Sequence, residues 1–244
     1  MSIKINYSKK ITGKLSSNLV LFVDEKFNNG NLKKYISNDE FSYISDLLKT
    51  SDLKKNILVF EVNSKKKIVL ISIKNDLKSF DLENLGAEFY SRINYGKNSE
   101  YFINTDSIII KIENLIGHFL HGLKLKSYEF NKYKTKKETR LISINVLKNK
   151  YSPSAQNQLK FKALEEGAFY ARDLVSEPGN ILHPDEYAKR LYSLKKDGLK
   201  VNIYDEKKLK KLGMNALLGV GMGSIRGSYL VTMEWNGAKN NSKP

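Results

Sequence analysis

The side chains in this sequence that are best suited to metal binding or proton transfer are three histidines and a small group of carboxylates. His118 and His121 are three residues apart, so a helix would place both imidazoles on one face. Zinc proteases combine such a pair with a glutamate in an HExxH motif, which is not found here. We therefore predict that both lie at the edge of a buried stripe of Ile116, Phe119 and Leu120, with ring nitrogens reaching solvent or backbone.

The carboxylates lie close together in the sequence, at Asp173, Glu177, Asp185 and Glu186. A pair of them could act as acid and base or bind a metal ion. Asp185 and Glu186, however, fall in the first turn of a predicted helix, where the helix dipole favours negative charge. Asp173 is expected to be a surface charge beside Arg172. We therefore assign no catalytic, cofactor-binding or metal-binding residue to this group or to the histidines, including His183.

A glycine-rich segment covers residues 219–227 and precedes a predicted strand at 229–235. A dinucleotide-binding loop would follow a strand and open a helix with the pattern GxGxxG, whereas here the pattern fails at Ser224 and a strand follows. A phosphate-binding GK[ST] motif is not found either. We expect these glycines to permit tight turns or close backbone approach.

The chain carries a formal charge of +16, and this charge has two explanations. Lysines displace counterions from phosphates, which suggests DNA or another nucleic acid as a partner. Only five of the 42 basic residues are arginine, which is the side chain favoured for reading bases. The second explanation is a genome-wide compositional bias, because a lysine excess in a chain that is also rich in Asn and Ile is typical of such a bias. The densest basic run is either a polyanion contact or a solvated loop, and it interleaves lysines with aromatic residues: Lys132, Lys134, Lys136 and Lys137 with Tyr128, Phe130 and Tyr133.

The sequence contains no cysteine, which excludes disulfides, thiolate metal sites and cysteine nucleophiles. The first residues alternate apolar and polar side chains and do not form a secretory signal. Apolar runs such as 19–23 and 108–110 are far shorter than the roughly 20 residues that cross a bilayer. We expect a soluble cytoplasmic protein without membrane contact.

Apolar periodicity predicts an α/β fold in which strands alternate with helices. Alternation with a period of two predicts strands at residues 3–7, 18–23, 56–62, 68–73 and 141–147. Apolar residues recurring at three- and four-residue intervals predict helices at 80–93 and 112–123.

A polar segment around Pro153 predicts a domain boundary. We expect an N-terminal α/β domain over residues 1–150, a connecting helix within 151–177, and the start of a second α/β domain over 178–244. The connecting helix should place Phe161, Leu164 and Val175 on one stripe. In the second domain we expect a helix beginning at Pro184, a strand at 200–204 and a helix at 205–211.

Three stretches resemble the leucyl aminopeptidase (cytosol aminopeptidase) family. Residues 122–136, GLKLKSYEFNKYKTK, are similar to a segment near the end of its N-terminal domain. Residues 171–184, ARDLVSEPGNILHP, resemble the entry into its catalytic domain, and residues 209–224, LKKLGMNALLGVGMGS, resemble the segment that follows. The departures from the family pattern are Gly179, His183 and Met222, and none of them is a catalytic position.

The resemblance implies a macro-domain-like mixed sheet flanked by helices, then a connecting helix and an incomplete α/β metallopeptidase domain. The family's VGKG.TFDSGG segment, with the lysine and carboxylates that hold two divalent metals, Mn or Zn, is absent from residues 1–244. We therefore carry over no catalytic residue and expect no metal bound by this chain. The full-length family removes N-terminal residues from peptides, leucine preferred, as a homohexamer. We expect this chain to be an inactive N-terminal part of such an enzyme, and the alternative is a stand-alone nucleic-acid-binding module.

Overall fold

The computed structural model describes residues 3–9, 18–94, 99–136 and 141–237. It divides into two compact units, Met1–Ala171 and Arg172–Pro244. The division falls inside the helix that we predicted as a connector over residues 151–177. Each unit is an α/β arrangement of its own, and the two are described separately.

The first unit contains a mixed sheet with helices on both faces. Its strands are β1 (Ile3–Ser8), β2 (Asn18–Val23), β3 (Ile57–Asn63), β4 (Lys66–Ser72), β5 (Ser99–Ile103) and β6 (Ile142–Leu147). Its helices are α1 (Asn38–Thr50), α2 (Ser79–Ile93) and α3 (Leu115–Lys126), followed by α4 (Ala155–Ser176) across the division. Two short 3-10 segments complete the description, Gly30–Lys34 and Thr105–Ser107.

The sheet has the strand order β1-β6-β5-β2-β4-β3. Every neighbouring pair is parallel except β3 and β4, which are antiparallel. Parallel strands require crossover connections, and helices provide two of these. Helix α3 joins the neighbours β5 and β6, and α2 joins β4 to β5, which are separated in the sheet by β2. The prediction of an α/β fold with a mixed sheet is therefore confirmed.

The central strands are buried on both faces because apolar side chains run along them without interruption. Val20 and Phe22 of β2 face a core that also contains the apolar sides of α2 and α3. Leu21 and Val23 of the same strand face the opposite core, which contains Ile44 of α1. A continuous apolar run of this kind is typical of a parallel strand covered by helices on each side.

Two glycines allow α2 and α3 to pack with their backbones in close approach. A Cβ atom on Gly86 of α2 would overlap the carbonyl oxygen of Phe119, and one on Gly122 of α3 would overlap that of Glu83. Because both obstacles are backbone atoms of the opposite helix, a side-chain adjustment cannot relieve them. This contact holds Phe89 and Phe119 in the core, with their ring centroids 5.5 Å apart.

A partly buried ion pair joins α1 to the sheet. Glu40 forms a capping box with Ser37: the Ser37 side chain accepts a hydrogen bond from the Glu40 N–H, and the Glu40 carboxylate accepts one from the Ser37 N–H. The same carboxylate pairs with Lys66 Nζ at 2.5 Å. Burial opposes ionisation of Glu40, but the hydrogen bonds from Lys66 and Ser37 outweigh it and hold the pKa of this carboxyl below its ordinary value.

The second unit contains a two-stranded antiparallel sheet and short helices. The strands are β7 (Lys200–Tyr204) and β8 (Leu230–Glu234). The helices are α5 (Pro184–Tyr192), α6 (Glu206–Lys211) and α7 (Asn215–Gly221), with a 3-10 segment at Ser193–Asp197. None of the helices described, in either unit, combines the length and the apolar content needed to span a membrane.

The predicted elements are found within about three residues of their expected bounds. Three elements were missed: α1, β5 and α7. The stripe predicted on α4 is not a buried face, because Leu164 is half exposed and Val175 is 87% exposed.

We predict that Gly86→Ala and Gly122→Ala each lower the free energy of unfolding by about 2 kcal/mol or more, because each added methyl group must push the opposing helix away. Urea denaturation followed by circular dichroism measures this change. Gly167→Ala is the matched control: it lies in α4 with open space around it, and should be neutral or stabilising by up to ~1 kcal/mol. Equal effects at the three positions would contradict the close helix contact.

We also predict that Lys66→Met costs about 1–3 kcal/mol at neutral pH, because it leaves the partly buried Glu40 carboxylate without its cation. Since the pKa of Glu40 is depressed in the folded protein, the pair stabilises the fold above the unfolded value of about 4.3. This stabilisation is lost as the pH falls through the folded pKa.

Urea titrations between neutral pH and about pH 3 should therefore show the gap between Lys66→Met and the wild type closing as Glu40 is protonated. The neighbouring Lys67→Met is the control, since its partner Glu61 is exposed and such pairs contribute at most ~1 kcal/mol. A gap that does not depend on pH would show that Lys66 acts through packing alone.

Candidate functional site

A buried carboxylate anchors the first residues of the second unit. Glu177 follows the end of α4, its side chain is only 1% exposed, and its Oε1 accepts a hydrogen bond from Arg190 Nη1 at 2.8 Å. Arg190 also donates from Nε to Glu186 at 3.1 Å, one turn earlier on α5. Hydrogen bonds to Glu177 and then Glu186 raise the pKa of Arg190, so the guanidinium stays charged. The network fixes α5 against the segment that enters the unit.

A second network joins the start of α5 to the glycine-rich segment. His183 precedes the first residue of α5, and its Nδ1 contacts Asp185 Oδ1. Arg226 places Nη1 at 3.8 Å from the other oxygen of Asp185. Slight desolvation would raise the pKa of Asp185, but hydrogen bonds from its own backbone N–H and His183, with the charge of Arg226, hold it below the ordinary value. Asp185 is therefore an ionised carboxylate already satisfied by its neighbours.

A cavity of about 380 Å³ opens beside this network. It lies between α5 and β8, and its walls are mainly apolar and aromatic: Leu182, His183, Pro184, Tyr187, Ala188, Leu191, Tyr229 and Val231. A cavity of this size and lining suits an apolar or aromatic group. His183 is the only imidazole or carboxylate among these residues, so the walls offer neither a nucleophile–base pair nor a metal ligand set.

The predicted environment of His118 and His121 is wrong in one respect, because Nδ1 of each imidazole meets a carboxylate. His118 Nδ1 lies 2.9 Å from Glu83 of α2, and His121 Nδ1 lies 3.2 Å from Glu165 of α4. Both imidazoles also contact the ring of Phe161, which covers Gly117 of α3. The carboxylates come from other helices, and a local sequence pattern cannot show this. These histidines hold α3 to its neighbours.

Tyr7 of β1 adds a further polar group near the same part of α4. Burial, and then the charge of Glu165, raise the pKa of Tyr7 to about 12, so the phenol stays protonated at neutral pH. Lys124 of α3 donates from Nζ to the carbonyl of Ile3 on the same strand at 3.0 Å. The Lys124 hydrogen bond joins α3 to β1, and the His121 pair joins α3 to α4.

The residues described do not provide a site for divalent metals. Among residues 3–9, 18–94, 99–136 and 141–237, no three His, Asp or Glu side chains are grouped closely enough to hold an ion. Asp173 is exposed in α4, and Asp185 and Glu186 lie in the first turn of α5 as predicted. A pair of catalytic metals requires several carboxylate or imidazole ligands. The side chains present therefore do not fit such a pair.

The basic loop after α3 uses its aromatic residues within the chain. Tyr128 stacks on Phe169 of α4 at 5.4 Å, and Phe130 packs edge-on against Tyr133 at 5.8 Å. Lys132 places Nζ 5.6 Å from the ring of Tyr133. Lys134 and Lys136 are exposed, and Lys137 lies outside the described residues. One face of the Tyr128 ring is thus already covered within the chain.

Gly219 and Gly221 of the glycine-rich segment lie in α7, a helix that was not predicted. The expected close approach is found at Gly221, where a Cβ atom would overlap the hydroxyl of Ser228. Glycine disfavours helices, so propensity does not indicate this short helix. Sequence reasoning also missed the Glu177–Arg190 pair, whose members are 13 residues apart and meet only through the fold. Whether a carboxylate is buried cannot be deduced from the residues next to it in the sequence.

Comparison with known sequences identifies the second unit. The model of the cytosol aminopeptidase family catalytic domain matches residues 169–244. The probable cytosol aminopeptidase of Brucella suis biovar 1 is 45% identical over 132 residues, which cover 50% of this chain and 26% of that protein. The corresponding protein of Brucella anthropi is 36% identical over 189 residues, covering 73% of this chain and 37% of that protein. The chain thus spans about a quarter to a third of the length of these relatives.

Solved structures share the fold at low sequence identity. The cytosol aminopeptidase from Coxiella burnetii has a TM-score of 0.67 at 17% identity, covering 96% of this chain and 47% of that one. The bottromycin maturation enzyme BotP in complex with Mn has a TM-score of 0.66 at 14% identity, covering 91% of this chain and 45% of that one. These structures show the fold, and the matched catalytic-domain segment with its relatives places residues 169–244 in the cytosol aminopeptidase family.

Proposed function

We propose that this chain supplies the N-terminal portion of a cytoplasmic leucyl aminopeptidase, which releases N-terminal residues, preferably leucine, from peptides. The observation that carries the proposal is the match of residues 169–244 to the family's catalytic domain, supported by 45% identity to the Brucella suis relative. In this proposal, residues 1–150 form a macro-domain-like N-terminal domain and residues 151–177 the connecting helix. Residues 178–244 begin the catalytic domain, and the full-length enzyme assembles as a homohexamer.

In such an enzyme, two divalent metals, Mn or Zn, activate water for attack on the peptide carbonyl. The residues described here do not form a ligand set for these metals, so we assign no catalytic step to this chain. The contribution of this chain is structural. The Arg190 pairs hold α5 in place, and α5 with β8 lines the apolar cavity.

We predict that the purified chain does not hydrolyse a leucine chromogenic substrate when Mn or Zn is added. The reason is the lack of a grouped ligand set in the described residues, since water activation requires the metals. Release of the chromophore is measured against a control without protein, and isothermal titration with Mn checks binding directly. Turnover above that control, or two tightly bound metal ions per chain, would contradict the proposal that this chain has only a structural role.

Nucleic-acid binding is the second candidate, and the charge of +16 is the observation that favours it. Fluorescence anisotropy with a labelled DNA duplex at about 50 mM salt tests it, because phosphate contacts weaken steeply as salt rises. If the basic loop makes the contact, the triple variant Lys132→Ser, Lys134→Ser, Lys136→Ser weakens binding and flattens the salt dependence. The control is Lys207→Ser, Lys208→Ser, Lys210→Ser on α6. Undetectable binding at this salt would remove the candidate.

A further inference from the structure

A cavity of about 320 Å³ lies at the carboxyl end of β4 in the first unit. One of its walls is a face of α2, because residues at three- and four-residue intervals lie on the same side of a helix. Another wall comes from the end of β4 and the residue before β3, where the Ser72 N–H donates to the Asn56 carbonyl at 2.8 Å. Crevices outside the carboxyl ends of parallel strands are common ligand sites in α/β sheets. The cavity is lined by Asn56, Ser72, Lys74, Leu77, Asp81, Asn84, Leu85 and Glu88.

Three polar side chains that line this cavity are free to bind a ligand. In the described part of the chain, the amides of Asn56 and Asn84 and the ammonium group of Lys74 form no hydrogen bond and no ion pair. All three residues are exposed, so water satisfies these groups in the free protein. A small polar ligand in the cavity exchanges that water for direct hydrogen bonds.

The cavity also has charges of opposite sign on its walls that do not pair with each other. Asp81 uses Oδ2 to accept from the Lys78 N–H at 2.9 Å, and Glu88 uses Oε1 to accept from Arg92 Nη2 at 3.2 Å. The other oxygen of each carboxylate accepts no hydrogen bond from a described residue. Lys74 does not approach either carboxylate within the 4.0 Å of an ion pair. One cation and two partly engaged carboxylates thus line a common space.

We propose that this cavity binds a free α-amino acid as its zwitterion. The carboxylate of the ligand pairs with Lys74 and accepts from the asparagine amides. The two carboxylates on α2, Asp81 and Glu88, attract its ammonium group, and each has an open oxygen to accept from it. An apolar side chain of the ligand packs on Leu77 and Leu85. A ligand of this kind uses both signs of charge on the walls.

Simpler ligands leave part of this charge unused. An anion pairs with Lys74 but brings its own charge near two carboxylates, and an amine has no group for Lys74. The site itself rests on the cavity, whereas the choice of leucine among the amino acids rests on the proposed function. Leucine is the product that the proposed enzyme releases, so the chain binds product here besides making its structural contribution.

Titration of the isotope-labelled chain with leucine to about 10 mM, followed by NMR, tests the proposal over a range that covers weak binding. We expect saturable shifts of the side-chain amide signals of the two lining asparagines. Lys74→Gln, and separately the double variant Asp81→Asn, Glu88→Gln, should each weaken binding at least about tenfold, because each removes charged partners and keeps a similar shape. Lys55→Gln is the control: it removes an exposed lysine outside the walls, and should bind like the wild type.

Two leucine analogues test whether both charges of the ligand are used. Leucinamide lacks the carboxylate and isocaproate lacks the ammonium group, and each should bind at least about tenfold more weakly than leucine. Equal binding of either analogue would overturn the zwitterion and leave an amine site or an anion site instead.

A further variant locates the bound leucine. Asn84→Trp fills the cavity from an exposed position whose amide has no partner in the described residues, so it should abolish binding without unfolding the chain. The lack of shifts with wild-type chain, or unchanged binding by Asn84→Trp or Lys74→Gln, would overturn the site. Hydrolysis of the leucine substrate by the chain alone would contradict the proposed function and not the site, because these binding measurements require no turnover.

Discussion

The burial of β2 and β4 on both faces is the constraint on which the first unit depends. Each strand is a run of apolar side chains, and a period of two sends neighbours such as Leu21 and Phe22 to opposite sides. Neither face can be left in water, so the sheet needs helices on both. The connections between parallel strands supply these helices, because each crossover connection passes over one face of the sheet. The close contact of α2 with α3 at Gly86 and Gly122 follows, since two helices must share one face.

Helix α4 has a different role, and its polar contacts explain it. It has no fully buried residue, and its Phe161 ring packs on α3, where it covers Gly117 and contacts both histidines. The pairs of His118 with Glu83 and of His121 with Glu165 surround this contact. Paired and hydrogen-bonded side chains specify position more strictly than apolar contact does, because a shifted helix would leave buried polar groups unsatisfied. The first half of α4 is thus held in place by these specific polar contacts rather than by a large buried area.

Most elements could be predicted from the sequence because their periodicity agrees with their burial. The missed helix α1 did carry a signal, the capping box of Ser37 and Glu40 before Phe41 and Ile44. Strand β5 has five residues, of which the first two are polar, and this is too short for a period to show. Periodicity reports which side of an element is apolar and not which residues of other elements meet it. For this reason Glu177 with Arg190, and the carboxylate partners of the histidines, became visible only in three dimensions.

The net charge and the described carboxylates bear differently on the two candidate functions. A pair of divalent cations needs carboxylate ligands, and the described residues of this chain do not group them. A net charge of +16 attracts any polyanion at long range and does not select one class of partner. A fall in affinity as salt rises would therefore show that charge contributes, and not which partner the chain prefers, because screening weakens every such attraction.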